Sequence, residues 1–338
     1  MFLSLKKGDV VDVIFPATGC SKNEISAIKN YLKNYYNLEV RIALETEIIL
    51  AKETAKNEFP TNSISFRFEQ LKLALESKDS KIIWCGRGGY GSGDLLPLLE
   101  KLKPIKQNKL FIGFSDIVSL TTFLEQKWGW QVLCAPVLLQ LARGDIQKPA
   151  QKELKDLIFG QKTEFKYDLK ALNEFGKKEI SGSITGGCLS VLAGHFGGNY
   201  QTDFQNKILF LEDEGEDGER LDRYFRQVIE VILKEKKKPQ AILLGNFKTA
   251  NIHGTPKAKN IEIAIKNLIE RIANFNLKIP VFLEKSGSLG HSSKMRPLIL
   301  GVASKITNQK LQFSLPEKSE KSKLAPKKPK SNLKISLN

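Results

Sequence analysis

Apolar strand patterns alternate with helix-spaced apolar positions along the first third of the chain. Short apolar runs predict three strands, at Gly8–Phe15, Leu38–Ala43 and Lys81–Cys85. Amphipathic spacing at 21–35 and 66–75 predicts helices between them, and Ser21 suits the N-cap of the first. Strand-helix-strand units of this kind imply a parallel sheet with right-handed crossovers.

The second half of the chain repeats this alternation. Strands are predicted at Lys207–Leu211, Gln240–Gly245 and Pro280–Leu283, with helices at 221–233 and 261–273. A polar, lysine-rich stretch separates the halves. We therefore predict an α/β protein with an N-terminal parallel-sheet domain (1–143), a connecting segment (144–180) and a C-terminal α/β domain (181–303).

Composition and charge narrow the class of protein. The 338 residues are 41% hydrophobic and 27% charged, as in an ordinary soluble protein, and no stretch is long and apolar enough for export or membrane insertion. The segment 316–338 has seven lysines and two glutamates, so it supplies +5 of the net charge of +16. We predict a disordered basic tail there, and without interleaved aromatic residues we do not expect nucleic-acid binding.

The cysteines and histidines give no metal signature. Four cysteines are scattered without a CxxC pair, which suits a reducing cytosol. None of the three histidines is spaced with a second ligand. We expect a cytoplasmic protein that needs no metal.

Ser115 lies where a predicted strand turns into a helix. Leu110–Ile112 is the apolar run, Gly113-Phe114-Ser115-Asp116 the corner, and Ile117–Phe123 the helix. Such a turn would lift the hydroxyl clear of the sheet and aim the Asp116 amide into the same space. Helix capping by Ser115 or Asp116 is the alternative, since the second glycine of the usual nucleophile elbow is missing.

A glycine-rich turn follows the strand that ends at Cys85. Gly86, Gly88 and Gly91 match a dinucleotide-binding spacing, but no acid follows about 20 residues later and no P-loop lysine is present. The pattern instead favours close approach of main-chain amides to a ligand.

In the second half of the chain, an acid and a histidine follow predicted strands, as Ser115 does in the first half. Glu212 directly follows the predicted strand Lys207–Leu211 and begins an acidic run. We expect the other acids of this run to be solvated. His291 lies in a glycine- and serine-rich loop after the last predicted strand, where a plain surface role is the alternative. His195 and His253 are weaker candidates, in an apolar helical segment and a polar turn respectively. Serine, glutamate and histidine could supply a nucleophile, an orienting acid and a base.

The chain resembles the LD-carboxypeptidase family of serine peptidases, which trim muropeptides in the cytoplasm. The resemblance runs from about Gly8 to Gly301. It rests on motifs in the family's order: Arg87-Gly88-Gly89-Tyr90-Gly91, Gly113-Phe114-Ser115-Asp116, Gly186-Gly187, Leu211-Glu212-Asp213 with Glu216 and Leu221-Asp222-Arg223, and Gly290-His291. Val118 and Cys188 depart from the usual threonine and asparagine.

The resemblance implies a mechanism and a site. Ser115 would be the nucleophile, His291 the general base and Glu212 its orienting acid, with Ser115 in the N-terminal domain and both partners in the C-terminal one. Backbone amides of Asp116, Gly88 and Gly89 would form the oxyanion hole. Arg87 would support that turn.

The resemblance also implies the substrate and the partners. The substrate would be a muropeptide tetrapeptide losing its terminal D-alanine, with no cofactor, and the protein would be a homodimer. The alternatives are an immunity-type hydrolase of peptide-nucleotide antibiotics on the same fold, which would need an aromatic platform for a base, and a binding protein without turnover.

Overall fold

The structure is a computed structural model that describes residues 4–54, 62–107, 109–248 and 258–315. Its helices are α1 (Lys22–Tyr31), α2 (Glu45–Thr54), α3 (Ile64–Glu76), α4 (Leu96–Leu99), α5 (Val118–Trp128), α6 (Leu138–Arg143), α7 (Lys148–Ile158), α8 (Leu189–Ala193), α9 (Gly218–Glu235) and α10 (Ala258–Asn274). Its strands are β1 (Val10–Ile14), β2 (Glu39–Arg41), β3 (Ser80–Cys85), β4 (Leu110–Ile112), β5 (Val132–Cys134), β6 (Glu164–Ala171), β7 (Ile180–Cys188), β8 (Ile208–Glu214), β9 (Ala241–Lys248), β10 (Val281–Glu284), β11 (Leu298–Leu300), β12 (Ala303–Thr307) and β13 (Lys310–Ser314). The predicted tail 316–338 and His253 lie outside the described residues.

The N-terminal half forms a six-stranded sheet in the order β11-β5-β4-β3-β1-β2, which we call the sheet domain. Strands β1 to β5 are parallel, as the alternating pattern predicted. Strand β11 comes from the far end of the chain and pairs antiparallel with β5, with Ile299 opposite Leu133. The segment predicted as the C-terminal domain therefore gives one edge strand to the sheet domain.

Local sequence signals account for the first helix. The Ser21 hydroxyl accepts from the Glu24 amide, and the Glu24 carboxylate accepts from the Ser21 amide, which makes a capping box. The helix continues into a π turn at Leu32–Tyr36 that ends on Asn37 in the left-handed region. Ile25 and Ile28 are buried, as expected for the apolar face of the predicted amphipathic helix.

The C-terminal half closes into a seven-stranded barrel in the order β10-β6-β13-β12-β7-β8-β9, which we call the barrel domain. Strands β7 to β10 are parallel along β7-β8-β9-β10, and the other pairs are antiparallel. Helices α9 and α10 pack against one another on the barrel's outer side. This confirms a two-domain α/β protein.

Strand β7 runs through Gly186 and Gly187, and the short helix α8 begins directly after it at Leu189. Gly186 has a φ of +112°, and a Cβ there would lie 2.2 Å from the Phe210 carbonyl oxygen. A Cβ on Gly187 would lie 2.5 Å from Val118 Cγ2 of helix α5. The glycines let β7 approach both its neighbouring strand and the sheet domain.

The predicted connecting segment 144–180 also contains regular structure. It supplies helix α7 and strand β6, and β6 pairs with β10 and β13 in the barrel. In β6 the buried side chains Phe165, Tyr167 and Leu169 alternate with exposed ones. Lysines and acids on the exposed face make the segment polar overall although one face of it is core.

Candidate active site

Ser115 occupies a strained corner between β4 and α5. Its φ is +64°, in the left-handed region that a side chain with a Cβ seldom adopts. Phe114 before it is extended, and a 3-10 turn at Ser115–Ile117 leads into α5. A Cβ on Gly113 would lie 2.6 Å from Ile117 Cγ2, so the corner requires glycine there. A partly exposed serine held in such a conformation is typical of a nucleophile elbow.

The glycine-rich turn after β3 passes directly beside this serine. A Cβ on Gly88 would lie 3.5 Å from Ser115 Oγ, and one on Gly89 would lie 2.2 Å from Thr18 Oγ1. The Thr18 amide donates to the Gly88 carbonyl at 3.3 Å. In the described part of the chain, the amides of Gly88 and Gly89 donate to no protein acceptor.

Asp116 fastens the glycine-rich turn to the serine corner. Its buried carboxylate accepts from the amides of Gly91 at 3.1 Å and Ser92 at 2.8 Å. The Ser92 hydroxyl donates to the Asp116 carbonyl at 2.5 Å. Burial raises the pKa of Asp116, although the amide hydrogen bonds act in the opposite direction. The Asp116 side chain therefore fixes the spacing between the two segments.

Glu212 and His291 form a buried pair in the barrel domain. Glu212 Oε2 lies 2.6 Å from His291 Nδ1 and accepts from the His291 amide at 3.0 Å. Its other oxygen is buried and has no partner among the described residues, so His291 is the group that compensates this charge. Asn246 donates its side-chain amide to the His291 carbonyl. The acid thus fixes the ring through Nδ1, and Nε2 faces Glu214 Oε2 at 3.7 Å.

The histidine reaches the sheet domain at the residue next to the serine. The ring of His291 packs on that of Phe114, with centroids 4.7 Å apart and planes tilted by 46°. Ser115 follows Phe114 directly in the chain. The Glu212–His291 pair therefore lies against the residue that precedes Ser115, at the contact between the two domains.

Neighbouring acids set the proton affinity of His291. Burial is the largest single influence and lowers its pKa, but Glu212, Glu214 and Asp213 together raise it above the ordinary value of 6.5. Glu214 Oε2 lies 3.7 Å from Nε2. A neutral imidazole in this site therefore has an increased tendency to take up a proton, which is the property of a general base.

The acidic run that begins at Glu212, near the end of β8, is only partly solvated. Asp213 is 1% exposed, and its carboxylate accepts from the Ser190 amide at 2.7 Å and hydroxyl at 3.2 Å. Burial, with help from Glu212 and Glu216, raises the pKa of Asp213 to about 7. The expectation of a solvated side chain is therefore wrong for Asp213, because β8 continues through it to Glu214.

The loop that carries His291 is anchored at both ends. Buried Glu284 accepts from the amides of Ser286 and Ser288 at 3.0 and 2.7 Å. Beyond the histidine, Arg296 makes a two-pronged ion pair with Glu153 of α7, at 2.6 and 2.8 Å. Sequence analysis singled out neither anchor; Arg296 and Glu153 lie 143 residues apart, so no local pattern indicates that pair.

The remaining candidates lie elsewhere. His195 Nε2 is 2.9 Å from Ser119 Oγ, one helical turn beyond the serine corner. Arg87 lies 3.7 Å from Glu24, on the turn it was predicted to support. Among the described residues, no group of three or more histidines, cysteines or acids could hold a metal ion, and no helix could span a membrane.

Comparison with known families matches both halves of the chain. Residues 11–135 match the LD-carboxypeptidase N-terminal domain, and residues 181–306 match the LD-carboxypeptidase C-terminal domain. Together these matches cover well over half of the sequence. The first match contains most of β1 to β5, and the second contains most of β7 to β12, including the edge strand β11 of the sheet domain.

Individual proteins show the same relationship. A Rickettsia conorii protein provisionally designated a carboxypeptidase is 32% identical over 310 residues, or 90% of each chain. The murein tetrapeptide carboxypeptidase of Pseudomonas aeruginosa is 32% identical over 208 residues, 57% of this chain and 64% of its own. The solved structure of a microcin C7 self-immunity protein, a mutant bound to adenosine monophosphate, has the same fold, with a TM-score of 0.71 at 19% identity over 94% of this chain and 99% of its own.

Proposed function

Since this chain belongs to the LD-carboxypeptidase family and is a serine-type carboxypeptidase, we propose that it removes the terminal D-alanine from murein tetrapeptides. The observation that carries the proposal is the contact of the Glu212–His291 pair with Phe114, beside the strained Ser115. The murein substrate is supported by the 32% identical Pseudomonas aeruginosa enzyme.

In the proposed reaction, Ser115 Oγ attacks the carbonyl carbon of the bond that precedes the terminal D-alanine. His291 Nε2 takes the serine proton as the C–O bond forms, and Glu212 stabilises the resulting imidazolium through Nδ1. His291 then gives this proton to the leaving amine, and the C–N bond breaks. Water, activated by the same histidine, hydrolyses the acyl-enzyme and restores Ser115.

The negative charge of the tetrahedral intermediate needs donors beside Ser115. We assign this role to the backbone amides of Gly88, Gly89 and Asp116. Support comes from the position of Gly88 against Ser115 Oγ and from the absence of protein acceptors for the Gly88 and Gly89 amides within the described residues. Losing one such donor typically costs about 10²-fold or more in rate.

We further propose that the enzyme works in the cytoplasm as a homodimer. The four cysteines are buried free thiols, which fits a reducing compartment. Large apolar side chains are exposed on α10 and at its end, with Ile263 at 55% and Phe275 at 52%. Light scattering on the purified full chain tests the dimer, and a monomer at micromolar concentration would contradict it.

Release of free amino acid from defined peptides tests the proposed activity. We expect the wild-type chain to release D-alanine from a purified murein tetrapeptide, and Ser115→Ala to release none above background. A peptide-nucleotide conjugate serves as the competing substrate. Cleavage of the conjugate alone would assign the immunity-type activity instead, and binding of the tetrapeptide without release would indicate a non-catalytic protein.

A further inference from the structure

Helix α5 of the sheet domain contacts strand β7 of the barrel domain at two separate points. Near the start of the helix, a Cβ on Gly187 would lie 2.5 Å from Val118 Cγ2, so the bare backbone of the strand lies against the helix. Near its end, Glu125 Oε2 accepts from the Thr185 hydroxyl at 2.8 Å. The two points are about 10 Å apart along the helix and about 7 Å apart along the strand. Two contacts at this spacing fix the angle between helix and strand as well as their separation.

The contact at the end of α5 is a cluster of polar side chains. We call it the Glu125 cluster; it consists of Glu125 and Gln126 from α5, and Thr185, Asp203 and Lys207 from the barrel domain. Glu125 Oε1 accepts from Lys207 Nζ at 2.8 Å. The Gln126 side-chain amide donates to Thr185 Oγ1 at 2.8 Å and to the Asp203 carbonyl at 3.1 Å, and its oxygen accepts from the Asp203 amide at 2.9 Å. Each of these hydrogen bonds joins the two domains.

Burial makes the position of α5 depend on this cluster. Thr185 is fully buried, and Glu125 is 7% exposed. Each carboxylate oxygen of Glu125 has a donor, one from Thr185 and one from Lys207. A buried carboxylate that loses such a donor is destabilised, because water does not replace the hydrogen bond. A shift of α5 along β7 would break these bonds, so the cluster holds the two elements in one register.

Both elements lead from the Glu125 cluster to the candidate active site. Helix α5 follows the serine corner, with Phe114 and Ser115 just before it. Strand β7 ends at Cys188, which pairs in register with Glu212 of β8. Glu212 in turn holds the ring of His291. The alignment of α5 with β7 therefore sets where the His291 ring lies relative to Phe114.

We propose that Glu125 and Thr185 are positioning residues for His291. Through the backbone of α5 and β7 they keep its ring against Phe114, so that Nε2 can take the proton of Ser115. The inference rests on the proposed function for this proton transfer. The position of the ring, in contrast, is a property of the folded chain and can be measured without a substrate.

Nuclear magnetic resonance of the His291 ring measures this position. The Phe114 ring shifts the resonances of a ring packed on it, and the chain has only three histidines, so isotope-labelled histidine gives few signals. His291→Gln assigns the signal, and Phe114→Leu shows where it lies without the contact. We expect Thr185→Val, which removes the hydroxyl, to move the His291 signal toward its position in Phe114→Leu. Thr185→Ser, which keeps the hydroxyl, should leave it in place.

The rate of D-alanine release shows whether this position matters for catalysis. A displacement of about 1 Å can cost roughly 10²-fold in rate, so we expect Thr185→Val to lower kcat at least about tenfold at a temperature where thermal melting shows it folded. Thr185→Ser should restore kcat. Thr202→Val is the matched control, since Thr202 is also buried in the barrel domain but its hydroxyl has no partner among the described residues. It should change neither the His291 signal nor kcat.

The outcomes separate the positioning role from the proposed function. A His291 signal that Thr185→Val leaves in place, a signal that moves without loss of kcat, or equal losses in Thr185→Val and Thr185→Ser would overturn the role. If Thr185→Val does not fold, Gln126→Ala provides the test, because it removes bonds to both Thr185 and Asp203 from a partly exposed residue. If the wild-type chain releases no D-alanine, the proposed function fails, and the His291 signal still decides whether the cluster positions the ring.

Discussion

Because Gly290 has no side chain, the Glu212 carboxylate can lie directly beside its backbone. A Cβ on Gly290 would lie 2.5 Å from Glu212 Oε2, the oxygen that binds His291. The backbone of Gly290 also has a φ of +98°. We infer that glycine is needed before His291 to leave space for the Glu212 carboxylate, and not to make the loop flexible.

Gly290→Ala should separate the histidine from its acid. We expect a loss of at least about 10²-fold in kcat/KM, because the new methyl group must displace Glu212 Oε2. Gly287→Ala is the matched control, since Gly287 also has a positive φ of +64° but its nearest atom would be Asn246 Oδ1 at 3.7 Å. Both variants carry the backbone cost of about 1–2 kcal/mol. Equal activities in the two variants would refute the steric account.

The pH profile should report the acids around His291. Because the proposed general base, His291, acts in its neutral form and its pKa is raised, the acidic limb of kcat/KM should lie above pH 6.5. Glu214→Gln removes a negative charge 3.7 Å from Nε2, so the limb should move to lower pH. Glu219→Gln, at an exposed residue of α9, should leave it in place. A limb that Glu214→Gln leaves unmoved or raises would contradict this assignment.

Asp213 should make folding stability depend on pH with an unusual sign. Its pKa rises from 3.8 to about 7 in the folded chain, which therefore holds a proton that the unfolded chain has lost. Wild type should thus lose stability relative to Asp213→Asn as pH rises from about 4 to 7, by up to about 1.4 kcal/mol per pKa unit. Urea unfolding at several pH values measures this difference.

Asp222 provides the control for that measurement. Its hydrogen bonds to Arg271 lower its pKa, so its contribution is complete above about pH 4 and is lost only as pH falls further. The stability difference between wild type and Asp222→Asn should therefore stay flat from pH 5 to 7.5. A flat difference for Asp213→Asn as well would show that Asp213 is ionised normally.

The anchor of the histidine loop should need arginine rather than any cation. Arg296 bonds both oxygens of Glu153, donates to the Lys166 carbonyl at 3.1 Å and stacks over the Tyr167 ring at 4.3 Å. Arg296→Lys keeps the charge but loses the paired hydrogen bonds to Glu153. We therefore expect the free energy of unfolding to fall by about 1–3 kcal/mol and kcat to be lower.

An exposed arginine supplies the comparison for Arg296. Arg226 faces Glu230 at 3.5 Å on the surface of α9. Arg226→Lys should change stability by less than about 0.5 kcal/mol, because exposed pairs contribute little. If the two substitutions had the same effect on melting temperature, the geometry of the Arg296 pair would have no special role.

Sequence analysis predicted the elements that local patterns determine. The apolar runs located β1, β3 and β4, and Ser21 was correctly placed as an N-cap. The sequence also singled out Glu212 and His291, which the fold pairs beside Phe114, and the catalytic role of these residues with Ser115 stays a prediction. Such signals act over a few residues, so they remain visible in the linear sequence.

Features that depend on distant segments were missed. Nothing near Leu298–Leu300 indicates that this strand pairs with β5, and the burial of Asp213 depends on Ser190, 23 residues earlier. Strand β6 is a different case, because its period of two was visible at Phe165, Tyr167 and Leu169. Because the segment is rich in lysine, it was predicted to be a connecting segment, although this alternation indicates a strand.

The central claim is that Ser115 and His291 act as one catalytic unit. The most direct test measures kcat/KM for D-alanine release by Ser115→Ala, His291→Ala and the double variant. We expect each single substitution to cost several orders of magnitude and the double variant to lose no more than either, because residues that act together are non-additive. Activity retained by Ser115→Ala, or losses that multiply in the double variant, would contradict the account.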